Sequence, residues 1–101
     1  MITAAPNVQD QPHVVVDVWR TYVIGDDVYL ACVVPATGKV RVTTPVVQSD
    51  LAKQEMVTAS GRVYHCVGTM AEDCLDFRFA LLVNGLADDL ATFTGHPEKV
   101  Q

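Results

Sequence analysis

The sequence predicts an α+β domain, in which a curled antiparallel meander of about five strands, a partial barrel, is followed by one or two C-terminal helices. Three observations predict it. Eighteen of the 101 residues are valine, whose branched Cβ is stiff and packs well on a pleated surface. Turn-forming clusters separate short apolar runs through the first 68 residues. Beyond Thr69 the apolar spacing changes from every second residue to every third or fourth.

Residues 1–12 are polar, carry Pro6 and Pro12, and lack periodicity, so they are expected to form a loose arm; residues 13–101 are expected to form a single domain. Val14 to Ile24 is the first expected strand, with Val14, Val16, Val18, Tyr22 and Ile24 on one face. Val15, Trp19 and Val23 share the other face with Asp17 and Thr21. Gly25-Asp26-Asp27 turns the chain into Val28–Val34, apolar on both faces as a central strand is. After Pro35–Lys39, Val40–Val47 alternates as far as Pro45, where a residue without an N–H ends, bulges or edges the strand. Gln48–Gln54 is expected to be a polar connection holding at most one helical turn. The runs Met56–Ala59 and Arg62–Val67 flank Ser60-Gly61 as a hairpin, with Thr58 near Val63 and Val57 opposite Tyr64.

Thr69–Glu72 has the spacing of a capping box, which predicts a helix from there. Met70, Cys74, Phe77 and Leu81 would then lie along one stripe, with Glu72, Asp73 and Asp76 facing away. A strand over Phe77–Val83 competes, since Phe77, Phe79, Leu81 and Val83 also alternate. Asn84-Gly85 is the expected helix stop, and Leu86, Leu90 and Phe93 mark a second short helix ended by Gly95-His96-Pro97.

Composition narrows the function. Seven Lys and Arg against twelve Asp and Glu give a net charge of −5, and the seven cations are scattered singly. Binding to phosphates needs clustered positive charge, so direct nucleic-acid binding is not expected. No run approaches the roughly 18 apolar residues of a membrane span. The first residues carry neither a basic nor an apolar leader segment, and three irregularly spaced cysteines do not make a disulfide framework. Together these predict a cytoplasmic protein with free, mostly buried thiols.

Thr43-Thr44-Pro45-Val46-Val47, followed by Val57-Thr58-Ala59-Ser60-Gly61-Arg62-Val63-Tyr64, resembles a pattern in small uncharacterised proteins of phages, plasmids and integron cassettes. There a strand ending T-S-P-V or T-S-P-I precedes a hairpin of the form T-x-S-G-x-x-Y-x-L. The resemblance covers Val42 to Val67; Thr44 stands where serine is usual and Cys66 where leucine is usual. It implies mobile-element cargo and brings no activity with it.

The chemistry-bearing residues do not converge on a catalytic set. His65 and Cys66 supply zinc-ligating atoms with Cys74, His13, His96 or Cys32, but neighbours in a strand point to opposite faces, so no metal site is expected. Cys74 at a helix start invites a lowered thiol pKa, with His65 or His96 as its base, yet Glu72, Asp73 and Asp76 surround it and oppose a thiolate. The acid pairs Asp26-Asp27, Glu72-Asp73 and Asp88-Asp89 fit turns and helix starts. Neither a catalytic residue nor a cofactor is therefore assigned.

The expected function is a non-enzymatic accessory module that binds a protein partner or its own copy as a homodimer, with Trp19 as an exposed aromatic anchor. A second expectation is a small-ligand-binding protein or minor enzyme with a pocket between sheet and helix, lined by Tyr22, Tyr29, Tyr64 and His65. A third is an acidic inhibitor of a nucleic-acid enzyme.

Overall fold

Alternating valines make the opening segment extended, but the alternation breaks at Asp17-Val18, and the break sends the chain from one sheet into another. The computed structural model describes residues 11–50 and 52–87. In chain order the elements are β1 (His13–Val16), β2 (Trp19–Ile24), β3 (Asp27–Val34), β4 (Lys39–Val42), β5 (Val46–Asp50), β6 (Glu55–Thr58), β7 (Val63–Cys66) and α1 (Leu75–Val83). They build a four-stranded sheet, β1-β7-β6-β5, and a three-stranded sheet, β2-β3-β4. The chain is α+β. In place of one curled meander, the described residues hold seven strands in two sheets, and β1 runs parallel to β7.

The three-stranded sheet is the middle layer. On one face Trp19 and Cys32 are cross-strand partners, as are Thr21 and Leu30; Trp19, Leu30 and Cys32 pack with Val14, Val16, Tyr64 and Cys66 of the other sheet. On the opposite face Tyr22 and Ala31 pack against Phe77 and Leu81 of α1, with Val33, Val40 and Val42 around them. A strand covered on both faces must be apolar throughout, which is why Val28–Val34 reads as an unbroken apolar run.

Two expected strands are each split. Val14 and Val16 point into the core, and after the two-residue step at Asp17-Val18 it is Trp19, not Val18, that points into the same core. The expected strand over 40–47 becomes β4 and β5, in different sheets, separated by Thr43-Thr44-Pro45. Residues 46–50, expected in part as a polar connection, form an edge strand. Its polarity reflects a strand wet on one side, and a bulge between Val46 and Gln48 shifts its register.

The hairpin at Ser60-Gly61 forms, one residue out of the expected register. Val57 pairs with Val63 and Met56 with Tyr64, so the loop is Ala59-Ser60-Gly61 and not two residues. Three-residue hairpins place a left-handed residue at the end of the loop, and Gly61 takes it with φ of 93°. Gly61→Ala meets no steric neighbour, yet the left-handed backbone should still cost about 1–2 kcal/mol, read as a lower urea midpoint at unchanged slope.

Helix wins over strand at 75–83, but it starts later than the capping box predicts. Cys74 is the N-cap, with no side-chain cap bond. Residues 67–74 are drawn out along β2 instead: the Ala71 N–H donates to Trp19 O (2.8 Å), Arg20 Nη1 to Ala71 O (2.8 Å), and Met70 packs on the core. Those tertiary bonds outweigh the local cap. The helix stop is as expected. Gly85 at φ 75° lets its N–H reach Leu82 O while Leu86 N–H reaches Leu81 O, the paired bonds of a Schellman motif. Within the stripe Phe77 and Leu81 are buried and Cys74 is exposed. The second expected helix falls largely beyond residue 87, outside the described residues, and so does the arm up to residue 10.

Candidate functional site

The five aromatic and imidazole residues singled out from sequence do not share one site. Trp19 is 6% exposed and its Nε1 donates to Val67 O (3.1 Å). It is a core residue, because the step at Asp17-Val18 turned its face inward, and it is no surface anchor. Tyr64 belongs to the same core between the sheets. Tyr22 lies in the other core, under α1, with half-buried Tyr29 as its cross-strand partner. His65 is half-buried on the outer face of the four-stranded sheet, opposite the face that carries Tyr64 and Cys66.

Tyr22 anchors a polar clasp that the sequence did not announce. Its hydroxyl donates to Asp73 Oδ1 (2.5 Å), and Arg78 donates to Asp73 Oδ2 through Nε (2.8 Å) and Nη2. Asp73, expected to face solvent, is 7% exposed at its side chain. Burial alone would raise its carboxyl; the hydrogen bonds from Arg78 and Tyr22 outweigh it and hold the group below the ordinary carboxylate value. Burial, then the bond to Asp73, pushes the Tyr22 phenol well above its usual range. The clasp pins the segment before α1 to the sheet.

The thiols divide by environment. Burial pushes Cys32 up to about 12, against a smaller lowering from the Arg41 guanidinium, and pushes Cys66 up to about 11. Both are inert core thiols at neutral pH. Cys74 is exposed, but it lies at the start of a helix on the three-stranded sheet, whereas His65 lies on the far side of the other sheet, so the layers keep them apart. Arg41 is 7% exposed and Nη1 donates to Tyr64 Oη at 3.4 Å, while its Nε has no partner among the described residues.

A concave site lies where the sheets open beside β5. A cleft of about 300 Å³ is lined by Thr21 and Val28 of the three-stranded sheet and by Val46, Val47, Gln48, Ser49 and Met56 of the other. Its lining is apolar or neutral-polar. Four of its seven lining residues are consecutive in β5, the strand with only β6 beside it among the described residues. The site therefore combines a strand edge that has no ladder partner beyond β6 among the described residues with a shallow apolar floor next to it. Sequence reasoning missed it because Gln48-Ser49-Asp50 looks like a loop. The available signal was Pro45 followed by Val46-Val47, the start of an edge strand.

None of Tyr22, Tyr29, Tyr64 and His65, expected to line a pocket between sheet and helix, lines this cleft. On the outer face of the four-stranded sheet, the His65 and His13 rings lie side by side with centroids 5.2 Å apart, and His65 Nδ1 lies 3.2 Å from Glu55 Oε2. Among the described residues no helix is long and apolar enough to cross a membrane. No family model, curated protein or solved structure matches the chain.

Proposed function

We propose that this chain is a non-enzymatic binding module that takes an extended protein segment, from a partner or a second copy, as an additional strand along β5. The observation that carries it is the continuity of the unpaired β5 edge with the cleft. In strand addition, main-chain bonds supply affinity and pockets for alternate side chains supply specificity. An added strand would bond to the edge while every second side chain entered the space floored by Val28, Val46 and Met56. β5 carries a single charge, Asp50 at its end, and neither lysine nor an internal proline to blunt pairing. A cleft lined by neutral side chains suits binding better than proton transfer. The resemblance of residues 42–67 to small mobile-element proteins fits an accessory role, since β5 and the hairpin that carry it form this edge.

The test is selection of short extended peptides on the full chain, alongside sedimentation at micromolar concentration. Bound peptide, or dimer formation, should slow amide exchange at residues 46–50. Val47 is 63% exposed, so Val47→Lys should leave stability within about 0.5 kcal/mol. It should weaken binding by about tenfold or more, or roughly 1.4 kcal/mol. Protection mapping to any other strand, or neither peptide binding nor dimer formation, would sink the reading.

A further inference from the structure

The outer face of the four-stranded sheet carries a constellation that the β5 edge does not use. The parallel pairing sets His13 opposite Val63 and Val15 opposite His65, and the antiparallel pairing sets Glu55 opposite His65. One face thus shows His13, His65 and Glu55 among Val15, Val57 and Val63. His13 Nδ1 and His65 Nε2 are 3.0 Å apart. On the other side of the same ring, His65 Nδ1 lies 3.2 Å from Glu55 Oε2.

For a neutral His65 these contacts set the tautomer. A carboxylate only accepts, so Glu55 takes the Nδ1–H of His65 and leaves the Nε2 lone pair of a neutral ring facing His13. His13 then donates its own Nδ1–H to that lone pair. The arrangement is the carboxylate–histidine pairing that orients an imidazole toward a metal, and it makes the ligating nitrogen more basic. An ion about 2.0–2.1 Å from each nitrogen cannot lie on the 3.0 Å line between them, so the two rings must turn about their side-chain bonds to bring both lone pairs onto it. Among first-row divalent ions a nitrogen site holds copper(II) more tightly than zinc(II). Imidazole nitrogen selects copper, zinc and nickel over magnesium and calcium, which take oxygen. Asp50, cross-strand from Glu55, adds a second negative charge on the face.

We propose that His13 and His65 form a two-imidazole site for a divalent late transition-metal ion, copper(II) above zinc(II), oriented by Glu55. Binding replaces the hydrogen bond between the rings: the proton leaves His13 Nδ1, His13 Nε2 takes one from solvent, and the two rings turn so that both lone pairs meet at the ion. Water fills the other positions, because among the described residues no three His, Cys, Asp or Glu side chains are placed to share one ion. The ion would also tie edge strand β1 to β7, the parallel pair of the sheet.

The experiment titrates the full chain with copper(II) chloride, then zinc chloride, in a non-chelating buffer, by calorimetry and electron paramagnetic resonance. The expected result is one copper per chain in the micromolar range, with hyperfine coupling from two imidazole nitrogens and slower amide exchange at Val14–Val16. His13→Gln and His65→Gln should each abolish it, Glu55→Gln should weaken it about ten- to hundredfold, and His96→Gln should bind as the parent does. Binding that survives both His13→Gln and His65→Gln, is lost in His96→Gln, or is absent at micromolar copper would overturn the site. None of these results depends on the β5 edge.

Discussion

Trp19→Ala should unfold the protein at far lower urea, with a loss of about 3–5 kcal/mol, while Trp19→Phe should lose less. The ring is 6% exposed and packs with Val14, Val16, Leu30, Cys32, Tyr64 and Cys66, where the two sheets meet. Truncation removes its buried surface and opens a cavity between layers that each sheet's own hydrogen bonds hold apart. It also removes the donor to Val67 O, the carbonyl one residue past β7. The phenylalanine variant keeps most of the packing and loses mainly that bond, worth about 1 kcal/mol. Chemical denaturation of the three proteins checks the ranking. If Trp19 were a surface anchor, Trp19→Ala would leave stability within about 0.5 kcal/mol, and that outcome would refute the assignment.

Asp73→Ala should cost about 3 kcal/mol at neutral pH, toward the lower end for a broken buried pair, because Arg78 keeps a fifth of its side chain exposed. The carboxylate is the shared acceptor of Tyr22 and Arg78, and its loss releases the part of residues 67–74 next to α1, beyond the bonds at Ala71. The folded carboxyl titrates lower than the unfolded one, whose value is about 3.9. The stabilisation is therefore complete above the unfolded value and is lost as pH falls through the folded one. The parent should lose stability steeply on acidification below about pH 5, and Asp73→Ala should lose less, so the two curves converge in acid. Urea midpoints measured across that range check it; parallel curves would show that Asp73 is not the group responsible.

What the chain disclosed on its own was what neighbouring residues decide among themselves. Ser60-Gly61 between two β-branched runs makes a hairpin wherever it sits, and Asn84-Gly85 stops a helix by its own backbone bonds. The excess of valine with a late change of period is enough for α+β. The apolar Val28–Val34 run correctly implied a strand with both faces covered, and Cys32 and Cys66 were legible as buried thiols. Opposite faces for His65 and Cys66 follow from the pleat alone.

Tertiary structure alone decided which strands are neighbours. Nothing near Asp17-Val18 says that β1 will join β7, some 50 residues on, while β2 joins β3 next door. That choice depends on total buried area summed across both sheets, and it carried Trp19 inward and brought His13 onto His65. The capping box at Thr69 is a sound local signal, worth about 1 kcal/mol. It yields because bonds from Arg20 to Ala71 and from Tyr22 and Arg78 to Asp73 hold the segment extended. The polar stretch 48–50 became an edge strand for a similar reason, since β6 offered it a ladder. Local chemistry sets turns, caps and period; partners distant in sequence set sheet order, facing and the sites made where the sheets meet.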